Sequence, residues 1–491
     1  MKEWKFNLTY KNAIILLSIL LVIVTILTSF YGYTDIGDYS DVAKYFSGDY
    51  NAGIRSSHSY FYGFIMSPLV GLLNNYFAFK IVNLIFIFLI LLSMYFISGK
   101  DKRIILLSLV APAVWYISPW ITPIIISSFF LLWAWFFIKK YDTNNDMYCL
   151  SFAGISLGLS YIFWDTIIFF GLFMAFVFMY NKKFSHFTLL SLAIFVGIMP
   201  RLLLDQYLFN FALFSIMKSF LGTLANAFLF GRGTSYAGGL FNKIILLLLI
   251  LVSIPLYYWK NYSIENLKQN KKTIIFLTLC LLLIFINPQV RYVFSIFPIL
   301  LLTGIKYIDQ KRMKKQIIFS LVISLIFIFP YVVQFYYHPN TLDGRDITYI
   351  LQNPENPNLS SISRESIISS DLDKIAVDFK NESFIVGNLD DDYRKLAHIY
   401  WGSGINEFIS IQDYQLFLEN NSKILSKKFE PIPNINERRL IWFAGGIDGN
   451  NLHENLNNVN YAITFGDDFR YSNFELYKKY EGLYVWRKIN G

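Results

Sequence analysis

Three aspartates stand within seven residues directly after the first long apolar run, in Thr34-Asp35-Ile36-Gly37-Asp38-Tyr39-Ser40-Asp41-Val42-Ala43. Ionisable groups at a membrane border are costly to keep and tend to be kept for a use. If the segment is helical, Asp38 lies one turn beyond Asp35 and Tyr39 at i+4, so the acids gather on neighbouring faces. A carboxylate within hydrogen-bond reach of an acceptor hydroxyl can take its proton while the oxygen attacks, which is general-base work. The plainer reading is solvated loop charge, with Asp35 capping the helix that follows.

Cations recur at the same kind of boundary. Arg55 and His58, in Gly53-Ile54-Arg55-Ser56-Ser57-His58-Ser59-Tyr60, lead into the apolar stretch 63–73. They can hold a lipid phosphate; a snorkelling arginine beside an interfacial aromatic belt accounts for them equally. Lys80, at the head of the second long apolar run, can do the same work or snorkel to the surface. Arg201, in Met199-Pro200-Arg201-Leu202-Leu203-Leu204-Asp205, and Arg291, in Asn287-Pro288-Gln289-Val290-Arg291-Tyr292, stand at the ends of apolar runs. A guanidinium matches phosphate geometry in bidentate fashion. The alternatives are snorkelling for both arginines and, for Arg201, pairing with Asp205. Asp165, at the tip between two apolar runs, is either a functional intramembrane carboxylate or a solvated hairpin charge.

What positions these groups is a membrane domain. Of 491 residues, 55% are hydrophobic, 19% aromatic and only 16% charged, against about 25% charged in soluble proteins. Apolar runs long enough to cross a bilayer, about 20 residues each, begin near Ala13, Phe77, Ile104, Ile121, Met147, Thr166, Ser185, Lys243, Thr273, Val290 and Gln316. The count is about eleven spans. With the connecting segments placed on alternating sides, one side receives 1–12, 99–103, 139–146, 181–183, 260–272 and 306–315, which hold nineteen lysines and arginines. The opposite segments hold few. This positive-inside pattern makes the net charge of +9 a topogenic signal and argues against a nucleic-acid partner. It predicts a multi-pass cell-membrane protein with a cytoplasmic amino terminus and the acidic loop, 32–76, outside. The first apolar run reads as a retained anchor, since no A-x-A-like cleavage site follows it.

Composition shifts at His338-Pro339-Asn340. We therefore expect a membrane domain over 1–337 and a soluble extracytoplasmic domain over 338–491. In the latter, short apolar runs at 383–387, 440–444, 462–465 and 483–486 alternate with helical-looking stretches at 393–401 and 412–427, the pattern of a small α/β sandwich. Turns after two of these runs, Gly387-Asn388 and Gly445-Gly446, form no G-x-G-x-x-G or Walker motif. The two cysteines, Cys149 and Cys280, lie in apolar spans, so the outer domain relies on its own core and no disulfide.

The pieces together resemble the GT-C superfamily of polytopic glycosyltransferases, in the branch of protein mannosyltransferases and aminoarabinose transferases. The order is similar: one span, an acidic outer loop, many spans, an outward soluble domain. The segment 35–43 is similar to that branch's D-x-x-x-Y-x-x-x-A loop, with Asp35 at the acid position. Ile36 replaces the usual second acid, and Asp38 can substitute for it. The stretch 154–165 resembles the family's glycine-leucine segment, without its usual basic residue. Arg291-Tyr292-Val293-Phe294-Ser295-Ile296-Phe297-Pro298 is similar to an R-Y-x-x-x-x-x-P span, and Pro200-Arg201 with 207–210 also fits. The likeness covers about 12–337.

The resemblance implies transfer of one sugar, with inversion, from a polyprenyl-phosphate donor to a glycan, protein or lipid acceptor on the outer leaflet. Asp35 would be the general base, supported by Asp38 or Asp165. Arg55, Arg201 and Arg291 would bind the carrier phosphate, with His58, Lys80 and Tyr292 completing the substrate-binding set. Members using a monophosphate carrier generally need no metal, whereas related oligosaccharyltransferases do; a divalent cation (Mg or Mn) could sit on the acidic loop. A lipid-linked sugar transporter or flippase would favour paired repeats and broken helices at midplane. A polysaccharide polymerase or ligase usually carries its large outer loop between late spans.

Overall fold

The computed structural model describes residues 10–27, 39, 42–43, 45–48, 60–73, 75–209, 212–213, 215–216, 244, 247–248, 251, 264–286, 290–305, 308, 310–337, 371, 374–375, 378–379, 384–386, 440–442, 460–464 and 473–489. In chain order the helices are α1 (Tyr10–Leu27), α2 (Phe61–Val70), α3 (Asn75–Ile97), α4 (Lys102–Leu109), α5 (Pro112–Ile117), α6 (Ile124–Asn144), α7 (Met147–Phe163), α8 (Ile167–Met179), α9 (Phe184–Phe209), α10 (Ile264–Ile286), α11 (Val293–Gly304) and α12 (Gln310–Tyr337). Four stretches among the described residues, Tyr10–Leu27, Phe77–Ile97, Ile124–Asn144 and Phe184–Tyr207, are long and apolar enough to cross a membrane. Shorter apolar helices stand among them. On α9 the large side chains Leu192, Phe195, Val196, Met199 and Leu203 are all exposed. That spacing of three to four residues makes a continuous apolar stripe, which suits lipid and would be a liability in water. The chain is thus a multi-pass membrane protein.

One correction to the span pattern has a local cause. The run beginning near Ile104 is two short helices, because Pro112 opens α5 and holds Ala111 in extended backbone (ψ 131°). Within the expected outer loop, the apolar stretch after His58 contains the helix α2.

The turns at one end of the bundle are tight. Lys100, Asn145 and Asn181 have left-handed backbone, with φ of 68°, 56° and 63°, ending α3, α6 and α8 in the manner of helix C-caps. Asp101 and Asp146 then start α4 and α7 by accepting from the backbone N–H of Arg103 (3.0 Å) and Tyr148 (2.9 Å). At this same end Asp142 accepts Lys272 at 2.5 Å and Lys182 at 3.5 Å, Lys139 donates to Asn270 at 3.4 Å, and Arg103 reaches the Ile308 carbonyl at 3.0 Å. Segments grouped by their basic charge meet in space.

Two interfaces fix the centre. Ser127 of α6 and Ser160 of α7 exchange hydrogen bonds with each other's carbonyls at 2.9 and 2.8 Å, a polar clasp between two apolar helices. Between α7 and α9, Gly154 and Gly158 face Ala193 and Gly197. A Cβ on Gly154 would fall 2.6 Å from that of Ala193, and one on Gly158 would fall 2.7 Å from the Gly197 Cα. Only glycine lets the backbones approach so closely.

Toward the carboxyl terminus lies one sheet of β1 (Phe384–Val386), β2 (Leu440–Trp442), β3 (Tyr461–Thr464), β4 (Phe474–Lys479) and β5 (Tyr484–Lys488), in the order β2-β1-β3-β5-β4. β1 pairs in parallel with β2 and β3, and β5 pairs antiparallel with β3 and β4. Each of the four expected strands is present. β4 is additional. It is an edge strand whose first residue alone is buried, so its sequence carries little strand pattern. Asp371 secures the β4–β5 turn by accepting from the N–H groups of Gly482 (2.6 Å) and Leu483 (3.2 Å). The helical-looking stretches 393–401 and 412–427 lie outside the described residues, as do Asp35, Asp38, Arg55 and His58.

Candidate functional site

The glycine contact between α7 and α9 sets how their ends meet at the side opposite the tight turns. α7 stops at Trp164, whose extended backbone (φ −146°) accepts no further helix, and Asp165 follows in the turn toward α8. α9 brings Arg201 and Asp205 one turn apart on one face. All three polar groups converge there.

Arg201 is fully buried, a rare state for a guanidinium. Its Nη1 forms an ion pair with Asp165, whose side chain keeps 22% exposure. Its Nε donates to Ser215 Oγ at 2.8 Å. The Tyr161 ring lies beside the guanidinium, 5.5 Å from Cζ to centroid, within cation–π range. Among the described residues, Nη2 is buried and has no hydrogen-bond partner. Asp205 is also fully buried. Its Oδ1 accepts the Tyr60 hydroxyl, and its Oδ2 accepts Ser215 N–H at 2.9 Å and Ser215 O–H at 2.8 Å. The sequence offered Asp205 as the partner of Arg201. Asp165 instead makes the direct ion pair, and Asp205 reaches Arg201 through a serine.

Further contacts extend the site. Tyr60 leads into α2, and Tyr62 donates to Asn83 Oδ1 at 3.0 Å while Asn83 Nδ2 donates to the Trp120 carbonyl at 2.8 Å. Asn83 is one turn along α3 from Lys80. Lys80 is fully buried, so its ammonium does not snorkel to the surface as one reading of the sequence had it. Tyr39, Val42 and Ala43 are helical and buried; Tyr39 packs edge-on against Tyr62 at 5.1 Å, which ties the acidic segment's own residues to α2. On the other flank the Tyr292 ring lies 4.9 Å from that of Trp164, and the Arg291 Cζ is 5.7 Å from the Tyr292 ring. Arg291 is half-buried in the 3-10 turn Val290–Tyr292 that precedes α11.

Asp165, Arg201 and Tyr292 are thus brought to one end of the bundle, with Arg291 beside Tyr292, and Lys80 lies buried near the start of α3, one turn before Asn83. Tyr60, Ser215, Asn83 and Trp164 were not singled out by sequence. Only Asp205 carried a signal, its i+4 spacing from Arg201. Among the described residues no group of three or more His, Cys, Asp or Glu could hold a metal ion. Arg201 takes one oxygen of Asp165, and Tyr60 and Ser215 take both oxygens of Asp205. The arrangement is a buried guanidinium held between two carboxylates, of which Asp165 is partly exposed and Asp205 is not.

No family profile matches the sequence, and no curated protein matches it significantly. Solved structures do share the fold. The crystal structure of ArnT from Cupriavidus metallidurans bound to undecaprenyl phosphate is similar with a TM-score of 0.55 and 10% identity, over 98% of each chain. The apo form of the same protein gives 0.56 and 11% over 96% of each. The likeness therefore spans the helices and the carboxyl-terminal sheet alike.

Proposed function

We propose that this chain is an integral-membrane glycosyltransferase that moves a sugar from a polyprenyl-phosphate carrier to an acceptor hydroxyl on the outer face, with inversion. The observation that carries the reading is the near-full-length fold shared with a protein crystallised with undecaprenyl phosphate. Buried cations at one end of the bundle support it. In this reading 1–337 is the catalytic membrane domain, with its amino terminus in the cytoplasm, and 338–491 is extracytoplasmic.

The transfer is a single displacement. The acceptor oxygen bonds to the anomeric carbon, the bond from that carbon to the phosphate oxygen breaks, and its electron pair leaves on the phosphate. The acceptor proton passes to the Asp35 carboxylate, with Asp38 beside it. Because phosphate is a good leaving group, the remaining task is to stabilise charge on it, which preorganised cations do well in a water-poor site. Arg201, Arg291 and Lys80 take that role, together with Arg55 and His58. Asp165 holds Arg201, and Tyr292 braces Trp164. Apolar faces between helices receive the isoprenoid tail. A divalent cation on the acidic loop rests on the sequence alone, and no step uses it.

The test is an assay in membranes with a panel of polyprenyl-phosphate sugars. Asp35→Asn removes the base and keeps the shape. Turnover is expected to fall about 10²–10⁴-fold with donor binding nearly unchanged. Full turnover by Asp35→Asn overturns the base assignment. Carrier lipid moved across the bilayer without glycosylated product would instead mark a flippase.

A further inference from the structure

Asp205 accepts three hydrogen bonds, one from Tyr60 at Oδ1 and two from Ser215 at Oδ2, which is the pattern of a carboxylate held in place rather than one open to an acceptor hydroxyl. Its geometry serves another end. Arg201 and Asp205 are four residues apart on α9, a spacing at which a direct ion pair is available. The structure interposes Ser215 instead. A guanidinium can only donate and a carboxylate only accept, so the hydroxyl between them has one possible sense: it accepts from Arg201 Nε and donates to Asp205 Oδ2. The relay uses a single N–H of the guanidinium. Asp165 takes Nη1 from the opposite side, and the Tyr161 ring flanks the group at 5.5 Å. Nη2 is then left buried without a partner among the described residues. Buried donors are almost always paired, and a site that strands one at the centre of a held guanidinium points to a ligand for it.

We propose that Asp205, acting through Ser215, is a positioning residue that orients Arg201 and reserves its Nη2 for a phosphate group. This rests on the reading of Arg201 as a phosphate-binding group. Tyr60 completes the device by fastening the start of α2 to the same carboxylate.

The test is a set of double-mutant cycles on the full chain in nanodiscs. Binding of undecaprenyl phosphate, and of inorganic phosphate as competitor, is measured for Asp205→Asn, Ser215→Ala, Arg201→Gln and the corresponding pairs. Loss of a hydrogen bond to a charged group corresponds to about ten- to hundredfold weaker binding. That loss is expected for Asp205→Asn and Ser215→Ala singly, shrinking to within about twofold when Arg201 is already Gln. Equal losses in both backgrounds, or no loss in the single variants, overturn the positioning role. Ser215→Ala strands no charge, so it carries the test if Asp205→Asn does not fold. Should inorganic phosphate show the coupling while undecaprenyl phosphate does not bind, the carrier-lipid reading falls and the positioning role stands. If the wild type binds neither, both fall.

Discussion

A guanidinium as deeply buried as that of Arg201 persists only if its charge is met nearby, because removing one partner of a buried ion pair leaves an uncompensated charge. Asp165 is that partner. Asp165→Asn is expected to destabilise the protein by about 3 kcal/mol, at the lower end for such pairs since the acid keeps some exposure. Adding Arg201→Gln to Asp165→Asn should cost less than the sum of the two single losses, since the ion pair is lost only once, but it leaves the buried Asp205 carboxylate without its cation and so does not restore the native stability. Thermal melts of the two single variants and the double variant check this; additive losses would mean that the pair is not coupled. The same physics explains what sequence did and did not disclose here. Arg201 and Asp165 were both conspicuous as charges in apolar surroundings. Their pairing was not, because the two are brought together by helix packing across 36 positions of chain. Ser215, small and neutral, gave no sign of its relay. Lys80 offered two readings until burial removed snorkelling.

Among the elements, α7 and α9 matter most, since the contact of Gly154 and Gly158 with Ala193 and Gly197 sets the separation of Asp165 from Arg201. A methyl on Gly158 would meet the Gly197 backbone at 2.7 Å, whereas one on Gly171 would meet only the Leu157 side chain at 3.6 Å. Gly158→Ala is therefore expected to cost about 1–3 kcal/mol through overpacking and to lower transfer by shifting the paired ends. Gly171→Ala should be neutral or slightly stabilising, because alanine suits a helix interior better. Melting temperature and turnover of the two variants, compared side by side, decide the point. Span positions were legible wherever an apolar run had unambiguous ends, as for α1, α3, α6 and α9. They blurred where a proline broke the run at Pro112. In the sheet, strands with apolar β-branched runs were legible. β4, Phe-Glu-Leu-Tyr-Lys-Lys, was not, because an edge strand stabilised by pairing with β5 needs little buried surface of its own.

At the scale of the molecule, the two ends of the bundle differ in character. One gathers Lys139, Lys182, Lys272 and Arg103 around the tight turns. The other gathers Arg201, Asp165, Asp205 and the aromatic rings of Trp164 and Tyr292. The excess of lysine and arginine at the first end supports the proposed orientation with that end in the cytoplasm. The proposed transfer from a carrier lipid on the outer leaflet requires this orientation, since the site must open to the side where donor and acceptor meet. Both native cysteines are buried and unpaired, so single engineered cysteines can report sidedness against a low background. Lys183→Cys, in the exposed turn between α8 and α9, should react with a membrane-impermeant maleimide only after the cells are permeabilised. Glu481→Cys, exposed in the β4–β5 turn, should react in intact cells. The reverse labelling would put the buried cations on the cytoplasmic side, out of reach of an outer-leaflet acceptor, and the transferase reading would then have to be inverted along with the topology.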